Sequence, residues 1–238
     1  MRKRLKGVVT GTVTSRGPVT MGAVLLAVGL LCLLSCAPPS LYTINLRYSP
    51  VTADLSRIEK TGKPFVITVA HFVDKRDVAD KLVVGTVVNP DGTKVPVLPK
   101  YTKPVDALLK GIQAHLEDRG YEVSGETPDW DLTEAGINSE WEDILIGGTI
   151  DALDVVCLKG TPVKKYRTEV KLTVYFADVK RQHIFYKVAV ETKPTLEHIR
   201  FSEEMLEKQI NGGLTDAIEK IFEGRDIYRK IQEALAGE

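Results

Sequence analysis

Histidines, cysteines and one pair of carboxylates are the residues through which this sequence could do chemistry, and their spacing decides which chemistry is open. His71, His115, His183 and His198 never fall at the His-x-x-x-His or His-x-x-Cys intervals that place two zinc ligands on one element. Cys157 stands in Leu153-Asp-Val-Val-Cys157-Leu158, an apolar strand pattern that predicts a buried, inert thiol. Asp151 and Asp154 invite an acid–base reading, but on a half-exposed strand they are expected to be plain polar positions. His71 sits in an apolar strand, which predicts a buried, hydrogen-bonded imidazole, while His115 falls beside a helical apolar stripe and is expected to be partly exposed. No Gly-x-Ser-x-Gly elbow, phosphate-binding loop or dinucleotide fingerprint occurs. The residues thus predict no catalytic site, no cofactor and no metal, and the chain is not expected to be an enzyme.

The remaining two cysteines lie in the N-terminal segment. Arg2, Lys3, Arg4, Lys6 and Arg16 precede an apolar run over residues 21–34, and no acid appears before Asp54. The run is shorter than the roughly 20 residues a helix needs to span a bilayer, so its layout predicts a secretion signal over residues 1–35. The run ends Leu33-Leu34-Ser35-Cys36, which resembles the lipobox of bacterial lipoproteins. Cys32 follows the bulky Leu31 where a small residue is wanted, so Cys36 is the expected lipid-attachment site. That resemblance implies cleavage before Cys36 and acylation of it. Ala37 in place of an aspartate then implies the outer membrane, with the domain facing the periplasm.

Charge and cysteine usage agree with that expectation. The chain has 32 basic and 32 acidic residues, and loss of the five basic ones before Cys36 leaves 27 against 32. A mildly acidic domain has no electrostatic reason to seek nucleic acid or anionic lipid head groups, so membrane attachment is expected to rest on the acyl chains. Residues 36–40, with Pro38 and Pro39, form a short, stiff tether that reaches about 15 Å.

Residues 41–238 then read as a single α+β domain. Leu41–Tyr48 and Phe65–Val73 are strand-like, the second apolar enough to be buried on both faces. Leu82–Leu98 reads as a hairpin about Asn89-Pro-Asp-Gly92, and Pro96 places its second arm at an edge. Pro104 opens a helix whose stripe is Val105, Leu108, Leu109, Ile112 and Leu116, and Gly120 closes it. Tyr121–Ser124 is a short strand. Residues 125–142 form a polar surface loop bearing Trp130 and Trp141. Three strands come next, over 144–156, 166–177 and 182–191. A helix starts at Ser202 and carries Gly212-Gly213, marking a kink or a close helix–sheet contact, and Asp226–Leu235 is a short tail helix. Gly147-Gly148 predicts a strand position closely approached by another group. The expected layout is a two-layer sandwich, a mostly antiparallel sheet with two amphipathic helices on one face.

Phe72-Val-Asp74-Lys-Arg76, the hairpin after it, Arg119-Gly-Tyr-Glu-Val123, the Gly147-Gly148 strand and the final amphipathic helix resemble the YajG-like family of bacterial lipoproteins. The element order is more distantly similar to curli-secretion, TolB N-terminal and penicillin-binding-protein-activator domains. The likeness spans roughly residues 62–235 and implies a fold rather than an activity. Together with the lipobox and the absent catalytic constellation it leads to the expectation of a non-enzymatic module that binds an envelope protein or itself. An auxiliary lipoprotein of a lipid or lipopolysaccharide transport system is the alternative. Asp74, Arg76, Trp130 and Trp141 are the candidate partner-binding residues, with the two tryptophans free either to anchor a partner or to pack over the core edge. The apolar hairpin over 82–98 either pairs with another chain, dips toward lipid, or belongs to the main sheet.

Overall fold

The computed structural model describes residues 41–50, 65–223 and 225–236. The expected signal, Cys36 and the tether lie outside the described residues. Unit 41–238 is built on two long strands, β7 (Ile144–Leu158) and β8 (Lys164–Asp178), paired antiparallel along their whole length. Their alternation is the reason. In β8, Tyr166, Thr168, Val170, Leu172, Val174 and Phe176 are buried, while Arg167 and Lys171 point outward.

Three short strands line the other edge of β7 in turn, all parallel to it. β2 (Val66–Val69) meets Ile144–Ile146, β3 (Val73–Asp74) meets Thr149 and Ile150, and β4 (Gly85–Val88) meets Val155–Leu158. β4 turns through Asn89–Gly92 into β5 (Lys94–Pro99), and β1 (Tyr42–Ile44) lies parallel outside β5. β6 (Glu122–Val123) pairs parallel to β2. On the free side of β8 run β9 (His183–Thr192) and β10 (Thr195–His198), both antiparallel.

The fold is α+β, but the sheet is mixed rather than mostly antiparallel. Strands β2, β3 and β4 all run in the direction of β7, and α1 (Pro104–Asp118) carries the chain back before β7 begins. The continuous apolar character of residues 65–73 is the mark of a parallel strand buried on both faces. The hairpin's second arm is an edge over Lys94–Pro96, where among the described residues no strand pairs outside it. β1 covers β5 from Val97 onward, one residue past Pro96, which has no N–H to offer.

Three helices pack against the sheet among the described residues: α1, α2 (Glu203–Ile221) and α3 (Arg225–Ala236), with Leu108, Ile112, Leu116, Leu206, Ile210, Leu214, Ile227 and Ile231 in one core. Ser202 caps α2 by accepting from the Met205 N–H at 3.1 Å. The helix runs unbroken through Gly212-Gly213. A Cβ at Gly213 would lie 2.9 Å from the Thr168 methyl, so this glycine allows the close helix–sheet contact.

The strand expected over Leu41–Tyr48 pairs with the sheet for only three residues, because its continuation pairs with a helix instead. The N–H groups of Thr43, Asn45, Arg47 and Ser49 donate to the side chains of Glu203, Glu207, Asn211 and Thr215 at 2.9–3.3 Å. Two extended residues advance about 6.6 Å and four helical residues about 6.0 Å, so every second strand residue meets every fourth helix residue. Asn211 closes the ladder by donating from Nδ2 to the Asn45 carbonyl at 2.8 Å.

Candidate functional site

The sequence nominated Asp74 and Arg76, and the structure turns both inward. Arg76 is 4% exposed. Its guanidinium donates to the Asp74 carboxylate at 2.7–3.2 Å and to the carbonyls of Val83 and Leu153 at 2.8 and 3.2 Å. It also donates to the Lys81 carbonyl, while the Lys81 ammonium donates to the Arg76 carbonyl. The planar fork of arginine thereby ties the loop between β3 and β4 to β7. Burial alone would raise the Asp74 carboxyl, but the Arg76 hydrogen bonds and charge, with Lys81, hold it below its usual range. Asp154 goes the other way, raised by burial and by Glu169 against the pull of Arg76.

The two tryptophans part company. Trp130 is 4% exposed and lies over Gly147, where a Cβ would stand 2.7 Å from its ring. Its indole N–H donates to the Thr133 carbonyl at 2.8 Å, and its ring meets Tyr175 edge-on. With Ala70, Ile137, Leu145, Ala177 and Val179 it forms a second, smaller core, against which Trp141 is half-buried. Residues 125–142 are therefore a cover over the sheet rather than a free surface loop. Glu134 ties it down by accepting from the Ile184 N–H at 2.9 Å and pairing with His183 at 2.6 Å, contacts that lower its carboxyl pKa in that order.

His71 and His115 exchange their expected places. β2 ends at Val69, so His71 leaves the sheet, stands half exposed and meets Asp129 at 3.0 Å. His115 completes the buried face of α1 and is 2% exposed. Its Nδ1 lies 3.0 Å from the Tyr48 hydroxyl, its ring stacks on Phe222 at 4.7 Å, and its Nε2 has no partner. Burial, then the Arg119 charge, lowers its pKa to about 4. Asp151 sits at a bulge in β7 and accepts from the Thr149 and Thr173 hydroxyls at 2.8 and 2.6 Å. Cys157 is buried opposite Tyr166, and burial pushes its thiol up. Among the described residues no cluster of three His, Cys, Asp or Glu side chains could hold a metal, and no helix is long and apolar enough to cross a membrane.

Sequence reasoning missed a third constellation, at the end of the sheet where β1 begins. The Lys159 ammonium donates to the Tyr42 hydroxyl at 2.6 Å and lies 3.9 Å from the Phe201 ring centre. Tyr42 and Phe201 meet edge-on at 5.0 Å. Beside them Leu41 is 48% and Ile199 76% exposed. The three segments are remote in sequence, and no local pattern signals that they meet. At the opposite end a cavity of about 230 Å³ is lined by Asp143, Asp178, Lys180 and Arg181 with Ala234 and Leu235. It is smaller and more charged than a typical small-molecule site.

No family model matches the chain, and no curated protein does. Solved structures follow parts of its course. A Xanthomonas campestris protein of the DUF330 family, 10% identical, covers 77% of this chain and 92% of its own at a TM-score of 0.49. A Helicobacter pylori protein described as a neuraminyllactose-binding hemagglutinin homolog, 10% identical, covers 80% and 96% at 0.46. A Neisseria meningitidis lipoprotein, 11% identical, covers 68% and 100% at 0.37.

Proposed function

We propose that this chain is a lipid-anchored, non-enzymatic envelope protein, facing the periplasm from the outer membrane, whose domain binds another envelope protein or a second copy of itself by adding a strand to its sheet. The observation that carries the reading is the outer edge of β9. His183–Thr192 is 10 residues long, and among the described residues it pairs only with β8. Side chains occupy its ends, Glu134 at the Ile184 N–H and Lys220 at the Glu191 carbonyl, and the edge between them is a template for another chain, with alternate side chains supplying specificity. The hairpin over 82–98 offers a much shorter opening, since β1 occupies the outer side of β5 from Val97 to Pro99 and Pro96 has no N–H.

Two further features support the reading. The Ser35-Cys36 junction has the form of a lipobox. Polar groups singled out in the sequence are engaged within the domain: Arg76, a candidate partner-binding residue, with Asp74 and three carbonyls, Asp151 with two threonines, His115 with Tyr48.

The test is photocrosslinking in intact cells from p-benzoylphenylalanine at Ala189, an exposed β9 position. The expected result is a discrete adduct, to one envelope protein or to a second copy, that is lost in a Cys36→Ala chain. An adduct pattern no different from that control overturns the proposal.

A further inference from the structure

We propose that the end of the sheet carrying Leu41, Tyr42, Lys159, Ile199 and Phe201 rests on the phospholipid bilayer and sets the domain upright on it. The inference rests on the reading of Cys36 as the lipid-attachment site.

Chain length places this end at the surface. Cys36 to Leu41 spans at most about 18 Å fully extended, which leaves no room for a folded partner some 30 Å across between lipid and domain. The point from which the tether starts is held in place. β1 is paired to β5 on one side, and Thr43, Asn45, Arg47 and Ser49 are laddered to α2 on the other. Leu41 is thus a rigid part of the sheet end rather than the tip of a loose arm.

The chemistry of the end matches a lipid interface. β4, β7 and β1 deliver to it the Asn89–Thr93 turn, the loop after Leu158 and Leu41 itself, and β10 delivers Ile199 through His198. Two large apolar side chains stand in solvent there, Leu41 and Ile199. Behind them Tyr42 and Phe201 have the amphipathic or apolar rings favoured at the headgroup level.

Charge at this end is opposite in sign to the acidic domain. Its four acids, Asp91 held by Thr93, Glu197 paired with Lys165 at 3.0 Å, Glu203 bonded to Thr43 and the exposed Glu204, keep their charge but are outnumbered by Lys94, Lys159, Lys164, Lys165 and Arg200. Lys94, Lys159, Lys164 and Arg200 remain to face phosphate groups, with Lys159 held over the two rings and Lys164 turned to the Gly160 carbonyl. Cations beside exposed apolar groups are the pattern of a surface that lies on anionic lipid.

The molecule carries its own control. Trp130 and Trp141 are the only tryptophans of the chain, and Trp130 lies over Gly147. From Gly147 to Leu158 the strand runs roughly 35 Å, so the native pair should stand clear of the bilayer.

The lipidated full chain is reconstituted in vesicles of phosphatidylethanolamine and phosphatidylglycerol containing shallow doxyl-labelled phosphatidylcholine. Wild type is compared with Ile199→Trp and with Glu140→Trp, an exposed position near Trp141. Tryptophan emission at Ile199→Trp is expected to be quenched several-fold more than that of wild type, with Glu140→Trp no different from wild type. Equal quenching at both reporters, or none at Ile199→Trp in protein that floats with the vesicles, overturns the inference. Protein that does not float overturns the reading of Cys36 instead.

Discussion

Two regions of this domain are built from the same kinds of residue and finish differently. Near one end of β7, Trp130, Trp141 and Tyr175 gather with Leu132, Ile137 and Ile184 and close on themselves. Near the other, Tyr42 and Phe201 gather under Lys159, yet Leu41 and Ile199 stay in solvent. The difference comes from the backbone each meets. Gly147 gives Trp130 a bare patch of strand to lie on, and an Asx turn from Asp131 to Thr133 aims the loop at it. Leu132 takes a left-handed φ of 65° there, at a cost of about 1–2 kcal/mol, so that its side chain also reaches Gly147. At the β1 end Leu41 and Ile199 find no such cover among the described residues. A closed aromatic cluster stabilises the fold, whereas an open one is available to something outside it.

That contrast should break most visibly at Trp130. Trp130→Ala removes a side chain that fills a small core and leaves a cavity, an expected loss of about 3–5 kcal/mol in urea unfolding. A loss below about 1 kcal/mol would mean the loop is open and the two regions are alike.

The seam between the N-terminal strand and the helices should respond to pH. Folding lowers the His115 pKa from 6.5 to about 4, so the unfolded chain binds the extra proton first. Stability is then whole above pH 6.5 and declines as pH falls from there toward 4, by roughly 3 kcal/mol at most. His115→Leu should remove that slope from the unfolding midpoint between pH 7 and 5. An unchanged slope would assign the acid sensitivity to other groups.

Asn211→Leu takes out the third of the four rungs of the strand-on-helix ladder, where Arg47 N–H and the Asn45 carbonyl both bond. Two backbone groups lose their partner, for an expected cost of about 1–3 kcal/mol. Hydrogen exchange should quicken at Arg47 while β7 stays protected. Exchange that quickens equally throughout would show the ladder to be part of the core rather than a separate fastening.

Ile199→Ser should do least, with a change within about 0.5 kcal/mol, as for other exposed positions. A larger loss would place Ile199 in a packed environment and undo the contrast at its open end.

Several elements are legible from local pattern, because local forces decide them. The alternation in residues 166–177 is that of β8, Pro104 and Gly120 bound α1, and Ser202 caps α2. Gly147-Gly148 is readable as a crowded strand position, and Trp130 and Phe72 are the groups that crowd it. Beyond the apolar run of residues 65–73, which marks a strand buried on both faces, strand direction is not legible, since a strand's side-chain period is the same whichever way its neighbour runs. The histidines mislead for a related reason: where β2 stops, and which residues complete the α1 stripe, are settled by neighbours rather than by periodicity. The inward turn of Arg76 depends on the carbonyls of Val83 and Leu153, the second of them far along the chain.

By itself the sequence determined the form of the N-terminal segment, the Cys36 junction, the acidic balance of residues 36–238 and most of the elements. Each is a matter of composition or of contacts a few residues apart. Only the tertiary structure decided that the sheet is mixed, that the polar loop bearing Trp130 is a lid on a second core, and that Leu41, Lys159, Ile199 and Phe201 share one end. Those outcomes depend on which strands become neighbours, a long-range choice made by burial of the whole core and recorded in no single stretch of the chain.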